Sequence, residues 1–365
     1  MGSEILGIVF RRVLVAIPLM LLVSVLVFVV LRLIPADPLA MAVPPNATKA
    51  DIEAMRQEMG LNLPIMEQYV RWLGQILSGN FGRSIAFGQP VLTLIGQSLP
   101  ATIELAFLSA ILATIIGIPG GLLMYYLRVA IGEQLTDLSS TYTMSILRFL
   151  WRLFLAICEQ ISDFLSTLMM SIPEFLWGLF LILIVGVSLD LLPFAGRLDP
   201  GHAVPKATGF LLLDSLLAGQ LGAFVDGLVH MILPCLALAL GTAPLIMRIL
   251  RSSLLEVSHE DYITMARLRG LSERQILLKH AFKNAFLPTL TLMGVQFGFL
   301  FGGTLLVEVI FSYPGLGNLM VEAVRNTDLP IIQGAALVFA LAVLTINLIV
   351  DVLYIVVNPK LRRAR

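Results

Sequence analysis

Glu260-Asp261-Tyr262-Ile263-Thr264-Met265-Ala266-Arg267-Leu268-Arg269-Gly270, followed by Leu271 to Phe286 and closed by Leu287-Pro288, is the stretch on which the fold turns. It is a charged island between long apolar runs. Gly270 predicts the end of a helix that begins near Glu260, because the residue after a helix C-cap often needs a positive φ, which glycine adopts without a Cβ clash. Ser272 and Gln275 have the spacing of a capping box and predict a second helix through Ala285; Ser258 with Asp261 repeats the pattern before the first. Two short helices joined by a sharp bend, set between hydrophobic spans, suit a docking surface for a cytoplasmic partner.

The surroundings of the island are those of a membrane protein. The 365 residues are 58% hydrophobic and 13% charged, with mean hydropathy +0.92, where soluble domains carry about a quarter charged residues. Net charge is zero, so no global field points to nucleic acid. Cys158 and Cys235 lie far apart in or near apolar segments and read as inert thiols.

Val13 to Leu31 is free of charge and rises roughly 28 Å as a helix, about one hydrocarbon core. A cleaved signal peptide competes, given Arg11, Arg12 and the small residues Ala40-Met41-Ala42, but the apolar run exceeds the roughly 7 to 15 residues of a signal core. Further spans are expected at Thr102 to Leu127, Phe164 to Leu189, Val229 to Ile249, Leu287 to Phe311 and Ile332 to Val357. The sum is an all-α membrane protein of six transmembrane helices with both termini on one side. With the termini cytoplasmic, sixteen of the 24 basic residues fall inside and eight outside, which sets the orientation.

Met144 to Ile157 is apolar but short, and Arg148 and Arg152 share one helical face, so it reads as an amphipathic helix on the inner surface. If it spanned instead, the island would lie outside. The domain plan is an N-terminal helix over 1–35, an outer soluble insertion over 36–99 with an amphipathic helix from Lys49 to Met59, and a five-helix core over 100–357. The core holds an extended inner connection over 129–163, an irregular outer loop over 190–228 and the island over 256–288; residues 358–365 form a basic tail.

The island resembles the Glu-Ala-Ala loop of ATP-binding-cassette importer permeases, with Gly270 as the glycine of the turn, Leu287-Pro288 as the ending, and Asp261, Thr264 and Ala266 at related positions. Arg251 to Val257 with Asp261-Tyr262 is similar to the dipeptide, oligopeptide and nickel branch. So are Leu31 to Pro35 with Asp37-Pro38, Leu99 to Leu105, His230 to Pro234, Tyr313-Pro314-Gly315-Leu316-Gly317, Asn347, Asp351 and Val357-Asn358-Pro359. The chain departs from that branch at residues 129–163, which are longer than its usual inner connection, and at Glu174, where such chains are more often uncharged.

The resemblance implies a type I ABC importer (MetI-like) permease fold in a bacterial plasma (inner) membrane. It implies a second homologous permease subunit, two ATP-binding ATPase subunits and an extracytoplasmic solute-binding protein that delivers a peptide substrate. No cofactor is expected on this chain, with ATP and Mg on the ATPase partners. Contact with the ATPase is expected at Glu260, Asp261, Ala266, Arg269, Gly270 and Leu271. Residues 36–99, 190–228 and the turn at Tyr313 to Gly317 are expected to receive the delivery protein.

Charges at membrane depth are costly and mark a polar path or a partner. Glu104, Glu174 and Glu308 are therefore candidates for the translocation path or gate, beside the bland reading that they serve structure; Asp351 reads as a helix-packing contact. Gly294, Gly298, Gly302 and Gly303 make small-residue steps for a second helix, between subunits or within this one. No phosphate loop is present, so ATP chemistry belongs to another chain. His259-Glu260 lacks a second histidine at Ile263, and four histidines in all give no metal or catalytic centre; the chain reads as no enzyme. The rival classes are a secondary transporter or channel working without an ATPase, marked by an inverted repeat, and a membrane-anchored scaffold.

Overall fold

The computed structural model describes residues 2–33, 62–136 and 145–357, with Thr48, Glu53, Ala54 and Gln57 as isolated positions. The expected helix from Lys49 to Met59 and the basic tail over 358–365 lie outside the described residues, apart from those isolated positions. The elements are α1 (Gly2–Leu33), α2 (Ile65–Leu77), α3 (Val91–Thr136), α4 (Ser145–Ser171) and α5 (Glu174–Leu181), which continues as a π-helical segment, Ile182–Ser188. They continue as α6 (Leu211–Leu217), α7 (Leu221–Ser258), α8 (Asp261–Leu268) and α9 (Glu273–Gln275). A π turn, Ile276–Ala281, then leads to α10 (Phe282–Ile310), α11 (Leu316–Arg325) and α12 (Leu329–Val357).

Among the described residues six helical stretches are long and apolar enough to cross a membrane: Val9–Leu33, Val91–Val129, Leu153–Ser171, Leu221–Ser258, Glu273–Ile310 and Leu329–Val352. Their count matches the expectation; several bounds differ. The third span was expected at Phe164 to Leu189, but Pro173 is extended at ψ 148° and lacks an N–H, so α4 stops at Ser171 and α5 restarts at Glu174. Met144 to Ile157 is no separate surface helix. It falls largely in the first half of α4, continuous with Leu153–Ser171; the side chains of Arg148 and Arg152 lie outside the described residues. The loop expected over 190–228 contains α6 and the first turns of α7.

The chain divides into two compact units, and the division falls within α3, α7, α10 and α12 and in the loop after Phe194. The first holds Met1–Glu104, Ala195–Val229 and Thr304–Val352. Its apolar core is Val91, Ile95, Leu316, Leu319, Ala323, Ile331 and Ala335. On one flank Phe28 of α1, 2% exposed, meets the rings of Tyr69 and Trp72 of α2 at 5.5 Å each, and Ser24 bonds to Tyr69 Oη at 2.8 Å. Fully buried Asp328 accepts from Ser84 Oγ at 2.6 Å and from Ala86 N–H at 3.0 Å, fastening the loop before α3 to the start of α12.

The second unit holds Leu105–Phe194, His230–Gly303 and Leu353–Arg365. There α3 and α7 approach closely because α3 offers glycines: a Cβ on Gly117 would lie 2.7 Å from Ile246, and one on Gly121 would lie 2.9 Å from the Met247 carbonyl oxygen. Ala113, Ala239, Ala243, Ile246 and Met293 fill the seam.

Candidate functional site

The island folds as an elbow. Gly270 has φ +76°, and its N–H donates to Arg267 O at 2.9 Å while Leu271 N–H reaches back to Ala266 O at 3.3 Å, which ends α8 in the expected left-handed turn. Ser272 caps α9 by accepting from Gln275 N–H at 3.4 Å. Ser258 does not cap α8: its hydroxyl donates backward to Leu255 O at 2.7 Å, and Glu260 occupies the N-cap without a side-chain bond. The second arm is also longer than expected. No break falls at Leu287-Pro288, and the helical run from Glu273 continues to Ile310 with Pro288 inside it, so this arm is the base of a membrane-length helix.

Three features stiffen the bend. Arg267 Nε donates to Glu273 Oε1 at 2.9 Å across the turn, and Asn284 Nδ2 donates to Tyr262 Oη at 2.7 Å, joining α8 to α10. Beneath them Ile263 and Ala266 pack with Tyr125, Leu250, Leu254, Ile276, Ala281 and Ala285 in one buried cluster. This apolar weld fixes the elbow to the ends of α3, α7 and α10. Ala266, expected among the contact residues, is 6% exposed and belongs to the weld, since it lies on the same face of α8 as Ile263.

Glu260, Asp261, Arg269, Gly270 and Leu271 are exposed. With them stand Met265 and Leu268, 52% and 78% exposed, which sequence reasoning missed. Their signal was an apolar pair three residues apart on the side of α8 away from Ile263.

The carboxylates expected at a path or gate meet different fates. Glu308 of α10 is fully buried: Oε1 accepts from Thr102 Oγ1 at 2.7 Å, and Oε2 from the N–H groups of Gly317 and Asn318 at 2.7 and 3.1 Å. Thr102 in turn accepts from Leu316 N–H at 2.8 Å. Glu308 therefore caps α11, and Gly315 and Gly317 are required because a Cβ on either would run into its carboxylate or into Leu305. Glu104 is 7% exposed, paired with Arg197 and accepting from Leu212 N–H at 2.9 Å, while Arg197 also donates to Gly209 O at 3.2 Å. Both groups are occupied by the chain's own donors. Glu174 opens α5, half-buried, so close to Gly241 that a Cβ there would lie 2.7 Å from Glu174 Cγ. Asp351 pairs with Arg12 Nε at 2.9 Å, the helix-packing contact expected of it.

In the loop that Arg197 secures, Asp214 accepts from Thr208 Oγ1, Thr208 N–H and Gly209 N–H at 2.7, 2.8 and 2.9 Å. Burial pushes its carboxyl pKa up, but these bonds together outweigh that and hold it below the ordinary value.

The glycines of α10 do not form one stripe. Gly294 and Gly298 are buried against the chain itself, whereas Gly302 is exposed with nothing within 4 Å of a Cβ. A four-residue step overshoots a helical turn, so two steps rotate the face by roughly 80°.

Among the described residues, helices alone make up the named elements, six of them of membrane length, and an exposed elbow joins two of those six; this is the build of a transmembrane permease component. The chain belongs to the binding-protein-dependent transport system inner membrane component family, whose model matches residues 153–363, while the model of that family's N-terminal region matches 5–106. It is 34% identical over 365 residues to the di/tripeptide transport system permease protein DppB of Pseudomonas aeruginosa, covering 99% of this chain and 100% of that one. Against the dipeptide transport system permease protein DppB of Escherichia coli K12 the figures are 35%, 98% and 99%, and against the glutathione transport system permease protein GsiC of Shigella flexneri 33%, 98% and 99%. Among solved structures, an inward-facing form of the MetNI methionine ABC transporter matches with TM-score 0.50 at 16% identity, covering 73% of this chain and 96% of that one, which supports the shared permease fold.

Proposed function

We propose that this chain is the transmembrane permease subunit of an ATP-driven importer that moves di- or oligopeptides delivered by an extracytoplasmic binding protein. The observation that carries the reading is the welded elbow. Met265, Leu268 and Leu271 form an exposed apolar knob on a support that the buried cluster makes rigid, so a force applied there reaches α3, α7 and α10 without being absorbed by a loop. The force is supplied by two ATPase subunits that carry ATP and Mg, and a second homologous permease subunit completes the path.

Family membership supports this assembly, and the names of the peptide-permease relatives support peptides as cargo. The termini face the cytoplasm of a bacterial inner membrane, as the distribution of basic residues favours. Glu260, Asp261 and Arg269 surround the knob and contribute its polar rim, with Gly270 in the turn before Leu271. Glu174 is the carboxylate left for the path, being half-buried beside Gly241 with no hydrogen-bond or ionic partner among the described residues.

The deciding experiment reconstitutes the complex in proteoliposomes and measures uptake of a labelled dipeptide. Uptake is expected only with ATP, ATPase subunits and binding protein together, and Leu268→Asp is expected to release the ATPases. Uptake by this chain alone, or by a complex lacking ATP, sinks the reading in favour of a secondary transporter.

A further inference from the structure

The same helix ends that carry the elbow hold a four-membered charge cluster. Glu159 of α4 is 6% exposed, and its Oε1 accepts from Arg128 Nη1 of α3 and from Arg251 Nη2 of α7, both at 3.0 Å. Arg251 turns its other terminal nitrogen to Asp163 Oδ1. Glu159 and Asp163 are four residues apart, so they share one face of α4, and a guanidinium with its fixed fork suits both at once. Two positive and two negative groups leave the cluster neutral.

Its position matters because of what lies on either side. Arg251 falls between Leu250 and Leu254, both fully buried in the elbow's apolar weld, and Arg128 lies three residues beyond Tyr125 of that weld. Among the described residues of the weld none comes from α4. Much of α4 is turned outward, with Phe154, Ile157, Ile161, Phe164 and Leu165 exposed. Beside buried Leu155, α4 is thus tied to its neighbours next to the elbow by ions, and it adds no described residue to the weld that joins α3, α7 and α10. Arg128 also lines an open cleft with Leu255, Ser258, His259, Arg267 and Glu273, so water reaches the Arg128 side of the cluster while Glu159 and Arg251 stay largely buried.

We propose that Glu159, Arg251, Arg128 and Asp163 form an ionic clasp that makes α4 follow the elbow, so that losing it separates ATP hydrolysis from passage of cargo. The clasp rests on the elbow being the ATPase contact, as proposed above. These are positioning residues: they act through α4, which includes part of the 129–163 connection expected from the sequence to be longer than in the branch it resembles. Removing one partner leaves a buried charge uncompensated, whereas exchanging arginine for lysine keeps the charge and loses only the fork.

The test uses the whole complex in proteoliposomes and reads uptake of a labelled dipeptide per ATP hydrolysed, with co-purification of the ATPases as the check on assembly. Glu159→Gln and Arg251→Gln are expected to lower that ratio about tenfold, within the range of a coupling between two sites, with hydrolysis and ATPase binding retained. Arg251→Lys is expected to keep most of the ratio, and Gln160→Ala, on the exposed side of α4, all of it. An unchanged ratio overturns the clasp, and so does a parallel fall of uptake and hydrolysis, which marks a merely structural role. Should Glu159→Gln not fold, Asp163→Asn at the half-exposed end decides, with an unchanged ratio counting against the clasp. A wild-type complex that takes up peptide without ATP overturns the functional reading itself, whatever the variants do.

Discussion

Glu308 shows what a carboxylate in a membrane-length helix needs. Its two oxygens accept from Thr102, Gly317 and Asn318, so that a group weighed from sequence between the path and a structural role knits the Leu-Pro-Ala-Thr and Tyr-Pro-Gly-Leu-Gly stretches into one buried node. Glu308→Ala leaves three donors unmet, and at about 1–3 kcal/mol for each unsatisfied group it is expected to cost at least about 3 kcal/mol, seen as a large fall in the unfolding midpoint of detergent-solubilised protein. Asp214 gives a pH-dependent counterpart. Its pKa is depressed on folding, so the unfolded state binds protons more readily, and the stability it lends is present above the ordinary carboxyl value of 3.8 and is lost as pH falls through the folded value. Protease resistance of the 207–214 loop is expected to drop below pH 3.8, and Asp214→Asn to remove that acid-dependent drop while loosening the loop at neutral pH.

At the scale of elements, the elbow separates into a buried face that stabilises and an exposed face proposed to meet the ATPase. Ile263 is fully buried, and Ile263→Ala is expected to cost about 2–5 kcal/mol by leaving a cavity in the weld. Gly270 has open space where a Cβ would lie, so Gly270→Ala meets no neighbour and its cost, about 1–2 kcal/mol, comes from the left-handed backbone alone. Leu268 is 78% exposed; Leu268→Asp is expected to leave stability within about 0.5 kcal/mol and to abolish ATP-dependent uptake. Thermal unfolding and uptake measured on the same three preparations separate the two faces. The seam of α3 against α7 behaves differently, because Gly121→Val has only backbone and Leu250 to displace and is expected to cost about 1–3 kcal/mol by overpacking.

Across the whole molecule, the ionic clasp and the apolar weld divide the labour of holding helices at the elbow. Packing joins α3, α7 and α10 to the elbow as one body, and the ion pairs bring α4 along with them. The number of membrane-length helices was legible from hydropathy because the bilayer imposes a minimum apolar length on each. The bend at Gly270 and the cap at Ser272 were legible because each is decided by residues a few positions apart. The break at Pro173 has the same local cause, yet the apolar run on either side of it masked the signal.

What the sequence by itself determined is much of what local chemistry and composition govern: the number of membrane-length helices, the cap at Ser272, the bend at Gly270, the membrane setting and, through its motifs, the family. Tertiary structure alone decided which charged groups are paired and which side chains face outward. Glu159 finds Arg128 and Arg251 from 31 and 92 residues away, Glu308 finds Thr102 from 206 away, and Ala266 goes inward while Leu268 stays out. Such partners meet only when helices pack, and packing follows from shape and burial summed over the fold, which no short window of residues contains.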